Sequence, residues 1–284
     1  MRTLAPPIQP MLLTSADAPA KGPYVHQVKF DGHRCILHYR SRGVQLYTRT
    51  GNDCTRQYPE LQLVRLCAES AVLDGEMIVL DQGKLCFESV IRRLRAQSES
   101  TIRRLSQTMP AHFVAFDVLS VDGQDVTRRL LEERLELLER VVQPSEYISV
   151  CKTFDDGSAL FHAVAKMGLE GIVSKRLGSR YVVGVRSMDW LKVKHYQYRV
   201  VDIIGIRKGE FGWLLGDGGQ PLGVLEFAPP VARKALIQYA RTKALVYTEN
   251  KHWLFIQPVR CKVKFQSYTK NGLLRSASFV HFVV

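Results

Sequence analysis

Four short stretches of the sequence carry functional side chains at every second position, the spacing that brings them to one face of a β-strand. The pairs are Lys29 with Asp31, Asp74 with Glu76, Val173 with Lys175, and Lys192 with Lys194. A deprotonated lysine can attack phosphorus, carboxylates bind divalent metal ions, and further ammonium groups stabilise charge on phosphate oxygens. Both signs of charge recur on these strands, which favours a phosphate-and-metal pocket over four ordinary solvated faces.

Glycines interrupt the same stretches at positions 32, 75 and 171. A glycine inside a strand lets a ligand approach the backbone closely. The standard nucleotide and hydrolase signatures are absent, since the sequence contains no G-x-x-x-x-G-K-[ST], no H-E-x-x-H and no G-x-S-x-G. A nucleotide would therefore be bound by another design.

Length and composition indicate an ordinary globular protein. The 284 residues predict one large domain or two ordinary ones, and 46% hydrophobic with 24% charged residues is typical of this class. No run of 18 apolar residues predicts a membrane span. Three prolines interrupt the weakly apolar N-terminus, and the six cysteines form no C-x-x-C pair. We therefore expect a cytoplasmic protein with reduced thiols, no zinc site and no contact with a membrane.

The charge of the chain is distributed unevenly. The net charge is +13, and residues 196–284 hold 13 Lys and Arg against 5 acids, so +8 lies in the last third. Such an excess favours a polyanionic partner through its field and through counterion release. Many basic proteins bind no nucleic acid specifically, so charge alone leaves the partner open.

Hydrophobic patterning predicts strands and helices in two domains. Alternating strands are expected through 24–50, in the hairpin of "AVLDGEMIVL" with "DQGKLCF", and in "HFVAFDVL", "EGIVSK" and "WLKVKHY". After residue 195, short strands and glycine-rich turns indicate a small barrel of about five strands. The boundary is predicted near 195–198. Helices are predicted at about 87–96, 99–107, 127–142, Ser158 to Gly168, and 229–242.

Six motifs in a fixed order resemble those of the covalent nucleotidyltransferases. They are "KFDGHR", "YTRTG", "LDGEMIV", "FVAFDVL", "EGIVSK" and "WLKVK". Four further stretches, "IQPMLLTSA", "FDVLSVDGQDV", "SRYVVGVRSMDWLKVK" and "TKNGLLRSASF", resemble the minimal bacterial ATP-dependent DNA ligases and the ligase domain of bacterial end-joining enzymes. The likeness covers nearly the whole chain, and the order of the motifs makes it specific.

The resemblance implies an α+β fold with two domains. Residues 1–195 would form the adenylation (nucleotidyltransferase) domain, with ATP-grasp-like antiparallel sheets and helices. Residues 196–284 would form a small all-β OB-fold barrel. The implied reaction has three steps, in which AMP passes from ATP to a lysine, then to the 5′-phosphate of a nick, and is released when the 3′-OH attacks.

The resemblance also implies the roles of individual residues. Lys29 would be the nucleophile that carries AMP, and Asp31 would act near the 3′-OH, with Lys192 and Lys194 neutralising charge. Metal ligation by Mg²⁺ or Mn²⁺ is expected at Glu170 first and Glu76 second, although Glu76 also suits the ribose. The implied set that binds ATP is Gln27, Val28, Lys29, Arg34, Arg49, Glu76, Phe116, Val173, Lys175, Arg186, Lys192 and Lys194.

Several of these residues have an ordinary structural alternative. Phe116 could be a core aromatic rather than an adenine-stacking ring, and Asp117 could be only a turn cap. Glu170 could simply open a strand. Lys175 and Arg186 could be solvated or could touch phosphate. Trp190 is expected to pack beside the lysines.

Two positions depart from the family pattern. Gln27 stands where relatives usually carry Glu, so its amide oxygen can accept a hydrogen bond from the adenine amino group but brings no charge. The family's last motif, an R-x-D-K-like element, has no counterpart after Arg275. We expect Arg275 or another basic residue to substitute, or self-adenylation to be slower than in relatives while nick sealing stays intact.

Three functions remain in view at this stage. A DNA ligase that acts as a monomer on nicked duplex DNA, with repair or end-joining proteins as further partners, fits the motifs. An RNA ligase or capping enzyme would use the same chemistry on another end. A non-catalytic OB-type nucleic-acid binder with a decayed transferase domain is the third, and the intact Lys29, Glu170, Lys192 and Lys194 oppose it.

Overall fold

The first part of the chain forms two β-sheets. The computed structural model describes residues 6–242 and 246–283. The chain divides into two units, one ending at Lys194 and one beginning at His195. Among the described residues, no helix is long and apolar enough to cross a membrane.

The first unit contains twelve of the strands described here, four α-helices and two 3₁₀ turns. The strands are β1 (Leu12–Ser15), β2 (Tyr24–Lys29), β3 (His33–Arg40), β4 (Gly43–Thr48), β5 (Ser70–Asp81), β6 (Lys84–Leu85), β7 (Ala111–Val121), β8 (Gln124–Asp125), β9 (Ile148–Val150), β10 (Thr153–Phe154), β11 (Gly171–Arg176) and β12 (Arg186–Lys194). The helices are α1 (Phe87–Leu94), α2 (Glu99–Thr108), α3 (Leu131–Val141) and α4 (Gly157–Lys166), and the 3₁₀ turns are Thr55–Gln57 and Pro59–Leu63.

These strands form a smaller and a larger sheet. The smaller sheet has the order β1-β12-β11-β2-β10, and the larger has β4-β3-β5-β7-β8 with β6 on β5 and β9 on β7. A shared apolar cluster joins the sheets, because Ile36 and Leu119 of the larger sheet pack with Trp190 of the smaller one. The two facing sheets therefore create the cleft that the charged strands border.

The opposite face of the larger sheet carries the main core. Successive side chains of a strand point to opposite faces, so Leu73 and Met77 of β5 enter this core while Asp74 and Glu76 point the other way. Helices α1 and α3 and the 3₁₀ turns cover the core, for example through Val90 and Leu138. The helical layer thus lies behind the sheet and leaves the cleft face open to ligands.

A β-bulge in β7 places Phe116. Gly75 pairs with Ala115 and Asp74 pairs with Asp117, so Phe116 is the extra residue opposite no partner on β5. Bulges redirect a side chain and are common beside active sites. Here the bulge turns Phe116 toward the cleft and sets Asp117 directly against Asp74. Asp117 lies inside a strand, so its interpretation as a turn cap is wrong.

The other predicted elements are present with shifted ends. Helix α3 begins at Leu131 rather than at 127, because Thr127 is held in a turn by hydrogen bonds to Asp125. Strand β1 was not predicted from the sequence. It pairs in parallel with β12, more than 170 residues further along the chain.

Gly32 of the "KFDGHR" stretch has a steric reason to be glycine. A Cβ atom at this position would lie 2.1 Å from the carbonyl oxygen of Met77, a backbone atom of β5. We expect Gly32→Ala to lower the free energy of unfolding by about 1–3 kcal/mol, as overpacking does. Urea denaturation, with exposed Ser100→Ala as a control, measures this. An unchanged unfolding midpoint for Gly32→Ala would contradict the steric account.

The second unit is built on an antiparallel sheet. Its order is β15-β14-β13-β17-β16, with β20 on β17 and a separate β18-β19 ribbon. Trp213, Leu236 and Phe265 are buried in its core. The elements are β13 (Gln197–Arg207), β14 (Trp213–Asp217), β15 (Gln220–Leu225), α5 (Pro230–Thr242), β16 (Val246–Glu249), β17 (Trp253–Phe265), β18 (Ser267–Tyr268), β19 (Leu274–Arg275) and β20 (Ser278–Phe282).

Candidate active site

Strand register aligns the candidate residues in three rows across the smaller sheet. In β2, β11 and β12 the rows are Lys29–Gly171–Lys194, Gln27–Val173–Lys192 and Val25–Lys175–Trp190. Residues two apart share a face, so the side chains of all three rows point to the same side. One end of the cleft is therefore cationic, and the other combines a lysine with a tryptophan.

Glu170 lies between the two lysines at the cationic end. Its Oε2 accepts a hydrogen bond from Lys29 Nζ at 2.5 Å, and its Oε1 lies 3.1 Å from Lys194 Nζ. Burial alone would raise the pKa of Glu170, but the two ammonium groups outweigh burial and lower it. The predicted nucleophile thus lies beside the predicted metal ligand. Glu170 directly precedes β11, and its two ion pairs give it a role beyond opening that strand.

Lys192 occupies the middle row. Its pKa is lowered by burial first and then by the neighbouring ammonium groups of Lys194 and Lys29. Three lysines therefore converge here with one carboxylate paired to two of them. This excess of positive charge suits a polyphosphate ligand.

Arg34, Glu76 and Phe116 line the opposite wall, which belongs to the larger sheet. The guanidinium of Arg34 donates from Nε to Asp74 Oδ1 at 2.9 Å and from Nη2 to Asp74 Oδ2 at 2.5 Å. Tyr181 donates its hydroxyl to the same Oδ2 at 2.6 Å. Arg34 is therefore held at the cleft wall by a buried carboxylate.

Glu76 differs in charge from Glu170. Burial raises the pKa of Glu76 to about 8, although Lys29 and Arg34 oppose the increase. A carboxyl group that is largely protonated at neutral pH is a poor metal ligand and a good hydrogen-bonding partner for a hydroxyl. The electrostatics of the cleft without its ligands thus favour a ribose contact for Glu76 over metal ligation.

The donor set fits a metal that also binds substrate. Among the described residues, no group of three or more His, Cys, Asp or Glu side chains is arranged to hold a metal ion. Mg²⁺ usually keeps several waters and binds one or two carboxylates together with substrate phosphates. Glu170 meets that requirement, because it lies at the cationic end of the cleft, where a polyphosphate ligand would bind.

Gln27 is buried, and its amide orientation is fixed by the backbone. Its Nε2 donates to the carbonyl oxygen of Cys151 at 3.3 Å. With the nitrogen engaged in this way, the Oε1 atom remains the group that can accept a hydrogen bond from a ligand. Gln27 therefore offers a ligand a hydrogen-bond acceptor, as a glutamate at this position would.

Phe116 and Val173 line the cavity from opposite sheets. The Phe116 ring meets Trp190 edge to face, with 6.2 Å between ring centroids. Val28 also borders the cavity, but its side chain packs under α4 with Ile172. A flat base held between Phe116 and Val173 is consistent with this lining.

Lys175 is almost fully buried, so its interpretation as a solvated residue is wrong. It is 1% exposed, and its Nζ donates to the carbonyl oxygen of Phe116 at 2.6 Å. The same Nζ lies 4.0 Å from the ring centroid of Trp190. Trp190 is buried, as expected for a packing residue, and it also lines the cavity.

Six predicted residues are not among those that line the cavity. Three of them, Glu170, Lys192 and Lys194, belong to the cationic end described above, and the other three are Arg49, Arg186 and Asp31. Arg49 is exposed and follows β4, at the edge of the larger sheet. Arg186 is exposed and donates to the carbonyl oxygen of Leu13 on β1. Asp31 lies partly exposed between β2 and β3. Arg49, Arg186 and Asp31 are therefore not part of the cavity wall.

Some cavity and support residues escaped sequence reasoning. Leu13 lines the cavity because β1 borders β12, and Tyr181 supports Asp74 from a distant loop. Arg134 of α3 is fully buried. The leucine pattern of this helix did not predict a buried arginine. The only signal available was the arginine itself on the apolar side of the helical pattern.

Comparison with known proteins identifies the chain. The family described as "ATP dependent DNA ligase domain" matches residues 10–194. The SPbeta prophage-derived DNA ligase-like protein LigB of Bacillus subtilis is 34% identical over 279 residues, covering 96% of this chain and 97% of that protein. The multifunctional non-homologous end joining DNA repair protein LigD of Mycobacterium tuberculosis is 28% identical over 275 residues, covering 88% of this chain and 35% of LigD.

A solved structure, mycobacterial DNA ligase D complexed with ATP and MES, has a TM-score of 0.55 at 26% identity and covers 97% of this chain and 95% of that one. The fold is therefore a nucleotidyltransferase-type ligase fold, with mixed sheets and few helices. The chain belongs to the ATP-dependent DNA ligase family, and it is an enzyme that forms phosphodiester bonds. The resemblance drawn from six motifs is confirmed. The chain spans about a third of the length of LigD.

Proposed function

We propose that this ligase seals nicks with a 5′-phosphate and a 3′-OH in duplex DNA through a lysyl-AMP on Lys29. The observation that carries the proposal is the contact of Lys29 Nζ with Glu170 Oε2 at 2.5 Å, in a row that ends at Lys194. In the first step, Nζ bonds to the α-phosphorus of ATP and the bond to pyrophosphate breaks. The Lys29 ammonium first releases a proton to water, and the hydrogen bond to Glu170 positions Nζ for this step.

Cations of this chain stabilise the charge that develops in the transfer. Lys192 and Lys194 share the cleft face with Lys29, and their ammonium groups offset negative charge on the phosphate oxygens. Mg²⁺ or Mn²⁺, held by Glu170, would supply further positive charge at the phosphate. Asp31, Arg49 and Arg186 remain candidates for the two later steps, in which AMP moves to the 5′-phosphate and the 3′-OH displaces it.

The proposed nucleotide pocket is the cavity lined by both sheets. We assign adenine to the space between Phe116 and Val173, where stacking on an aromatic ring is worth about 1–3 kcal/mol. The Oε1 of Gln27 accepts from the adenine amino group, and Glu76 and Arg34 lie toward the ribose. The Gln27–Cys151 hydrogen bond supports selectivity for adenine, because it leaves an acceptor where guanine also presents an acceptor.

We further propose that residues 1–195 form the adenylation domain and residues 196–284 an OB-fold domain. The antiparallel sheet of the second unit, interrupted by α5 between β15 and β16, supports the OB assignment. We propose a monomer that works in the cytoplasm, consistent with six free cysteines. The name of the LigD relative makes end-joining proteins reasonable partners.

Covalent labelling tests the proposal directly. The protein is incubated with α-labelled ATP and Mg²⁺, and denaturing electrophoresis followed by peptide mass spectrometry locates the label. We expect a single AMP adduct on Lys29 and sealing of a nicked DNA duplex. A protein that binds DNA but never carries the label would rule the mechanism out. Equal or faster sealing of matched RNA strands would instead favour an RNA ligase.

Binding of nicked DNA should depend strongly on salt. The net charge is +13, of which +8 lies in residues 196–284, and each phosphate contact releases a counterion. Six such contacts weaken binding by about 10³-fold between 50 and 200 mM salt. Fluorescence anisotropy of a nicked duplex with a dideoxy 3′ end measures this without turnover. An affinity that hardly changes over that range of salt would contradict DNA binding through phosphate contacts.

A further inference from the structure

One face of the second unit carries exposed aromatic rings beside lysines. In the pairing of β13 with β17, Tyr198 lies opposite Lys264 and Val200 lies opposite Lys262. Tyr198 is 58% exposed and Val200 is 37% exposed. Tyr196, directly before β13, reaches the same face, because Lys264 Nζ lies 4.8 Å from its ring centroid. We call these five residues the tyrosine–lysine strip.

Strand alternation explains why the strip faces solvent. Val201 and Ile203 of β13, together with Cys261 and Val263 of β17, are buried in the core of this unit. Successive side chains of a strand point to opposite faces, so the residues between them point outward. A contiguous apolar patch that is rimmed by charged side chains is a common sign of a binding surface.

The two lysines of the strip have charge available for a ligand. Among the described residues of this unit, ion pairs are formed by Arg199, Arg207 and Lys208. Lys262 Nζ lies instead 5.4 Å from the ring centroid of Tyr198. Proteins that bind single strands combine cations that contact the phosphates with aromatic rings on which the bases stack. The strip presents both groups side by side.

The spacing of the rings distinguishes an unpaired strand from a duplex. Tyr196 and Tyr198 are two residues apart, which separates them by about 7 Å along an extended chain. Duplex DNA advances by about 3.4 Å per nucleotide of each strand, and its base faces are covered by their neighbours. Rings at twice that step fit an extended single strand, whose base faces are free to stack on them.

We propose that the tyrosine–lysine strip binds an unpaired DNA strand, with bases stacked on the two tyrosines and phosphates beside the two lysines. The strand is DNA because the chain belongs to a DNA ligase family. This binding goes beyond nick sealing and suits the strand exposed at a gap or an overhang. It uses β13 and β17, whereas OB folds usually bind oligonucleotides with their second and third strands, which are β14 and β15 in this unit.

Fluorescence anisotropy of a short labelled oligothymidylate, which has no base pairs, tests the rings in the full chain. We expect Tyr198→Ala to weaken its binding by about 5- to 100-fold, the range for the loss of one base–aromatic stack. Tyr198→Phe keeps the ring and should bind as the wild type does. Tyr239→Ala removes a tyrosine of α5 that is 49% exposed and is the matched control. Unchanged affinity in Tyr198→Ala would overturn the proposal.

An oligomer of abasic sites separates stacking from charge. It has the phosphates of the oligothymidylate and none of its bases, so the wild type and Tyr198→Ala should bind it equally. A blunt duplex, whose bases are already paired and stacked, should also bind both proteins equally. If Tyr198→Ala loses as much affinity for the duplex or the abasic oligomer as for oligothymidylate, the ring does not read unpaired bases and the proposal is wrong.

The salt dependence of binding tests the lysines. Each phosphate contact with a single strand contributes about 0.7 to the slope of log affinity against log salt. Lys262→Met should therefore reduce that slope for oligothymidylate by about 0.7, whereas Tyr198→Ala should lower the affinity at an unchanged slope. Lys234→Met, an exposed change on α5, is the control. A wild-type slope in Lys262→Met would overturn the assignment of phosphates to the lysines.

Adenylation is measured separately in the same preparations. Covalent labelling with ATP reports the proposed lysyl-AMP chemistry, while oligothymidylate binding is measured without ATP. Loss of one readout with retention of the other therefore shows which of the two proposals has failed.

Discussion

The Lys29→Ala enzyme should form no covalent adduct with AMP and should seal nicks with ATP at background rate. The reason is the geometry of the cationic end of the cleft, where Lys29 Nζ contacts Glu170 and shares its row with Lys194. Removing a nucleophile lowers turnover on the order of 10⁴- to 10⁶-fold. Label transfer from α-labelled ATP, read after denaturing electrophoresis, measures the first step alone.

Two comparisons make this result decisive. Lys166→Ala removes an exposed lysine of α4 and should label normally. A nick that already carries a 5′-adenylate bypasses the first step, so Lys29→Ala should seal it measurably while failing with ATP. If the variant still acquires label on another residue, Lys29 is not the nucleophile and the assignment of the cleft is wrong.

Glu170→Gln should lower the rate of adduct formation by about 10²- to 10³-fold, the usual effect of removing one electrostatic stabiliser. The carboxylate pairs with both Lys29 and Lys194, at 2.5 and 3.1 Å. An amide of the same shape cannot balance their charges or bind Mg²⁺ as a carboxylate does. Single-turnover labelling at several Mg²⁺ concentrations measures the loss, and we expect the variant to need more Mg²⁺ for half-maximal rate.

The Mg²⁺ dependence separates two roles of Glu170. If the half-maximal Mg²⁺ concentration stays unchanged while the rate falls, Glu170 positions Lys29 without binding the metal. Glu139→Gln, an exposed change on α3, serves as the matched control. A Glu170→Gln enzyme with unchanged adenylation would contradict both roles.

Strand periodicity predicted much of the catalytic end of the cleft. It placed Lys192 and Lys194 on one face, and it placed Asp74 and Glu76 on another, as the structure does. These inferences needed only the alternation of neighbouring side chains. The partnership of Lys29 with Glu170 could not follow from periodicity, because it joins residues 141 apart in the chain.

The part of the cleft that we assign to adenine was harder to predict from the sequence. Phe116 faces the cavity because of a bulge, and a bulge depends on how β7 pairs with β5. Arg134 has the position of a core residue in an amphipathic helix, so its pairing with Asp117 is a tertiary contact that no local pattern reports. The electrostatics of Glu76 and Lys175 likewise depend on burial, which only the folded arrangement determines.

The pairing of β1 with β12 also has a consequence for biosynthesis. The larger sheet uses residues 33–150 and can assemble while the rest of the chain is still being translated. The smaller sheet is completed only after Lys194 has left the ribosome, because β1 pairs with β12. Long-range pairing of this kind is slow. The ATP cleft should therefore be the last feature of the first unit to mature on a nascent chain.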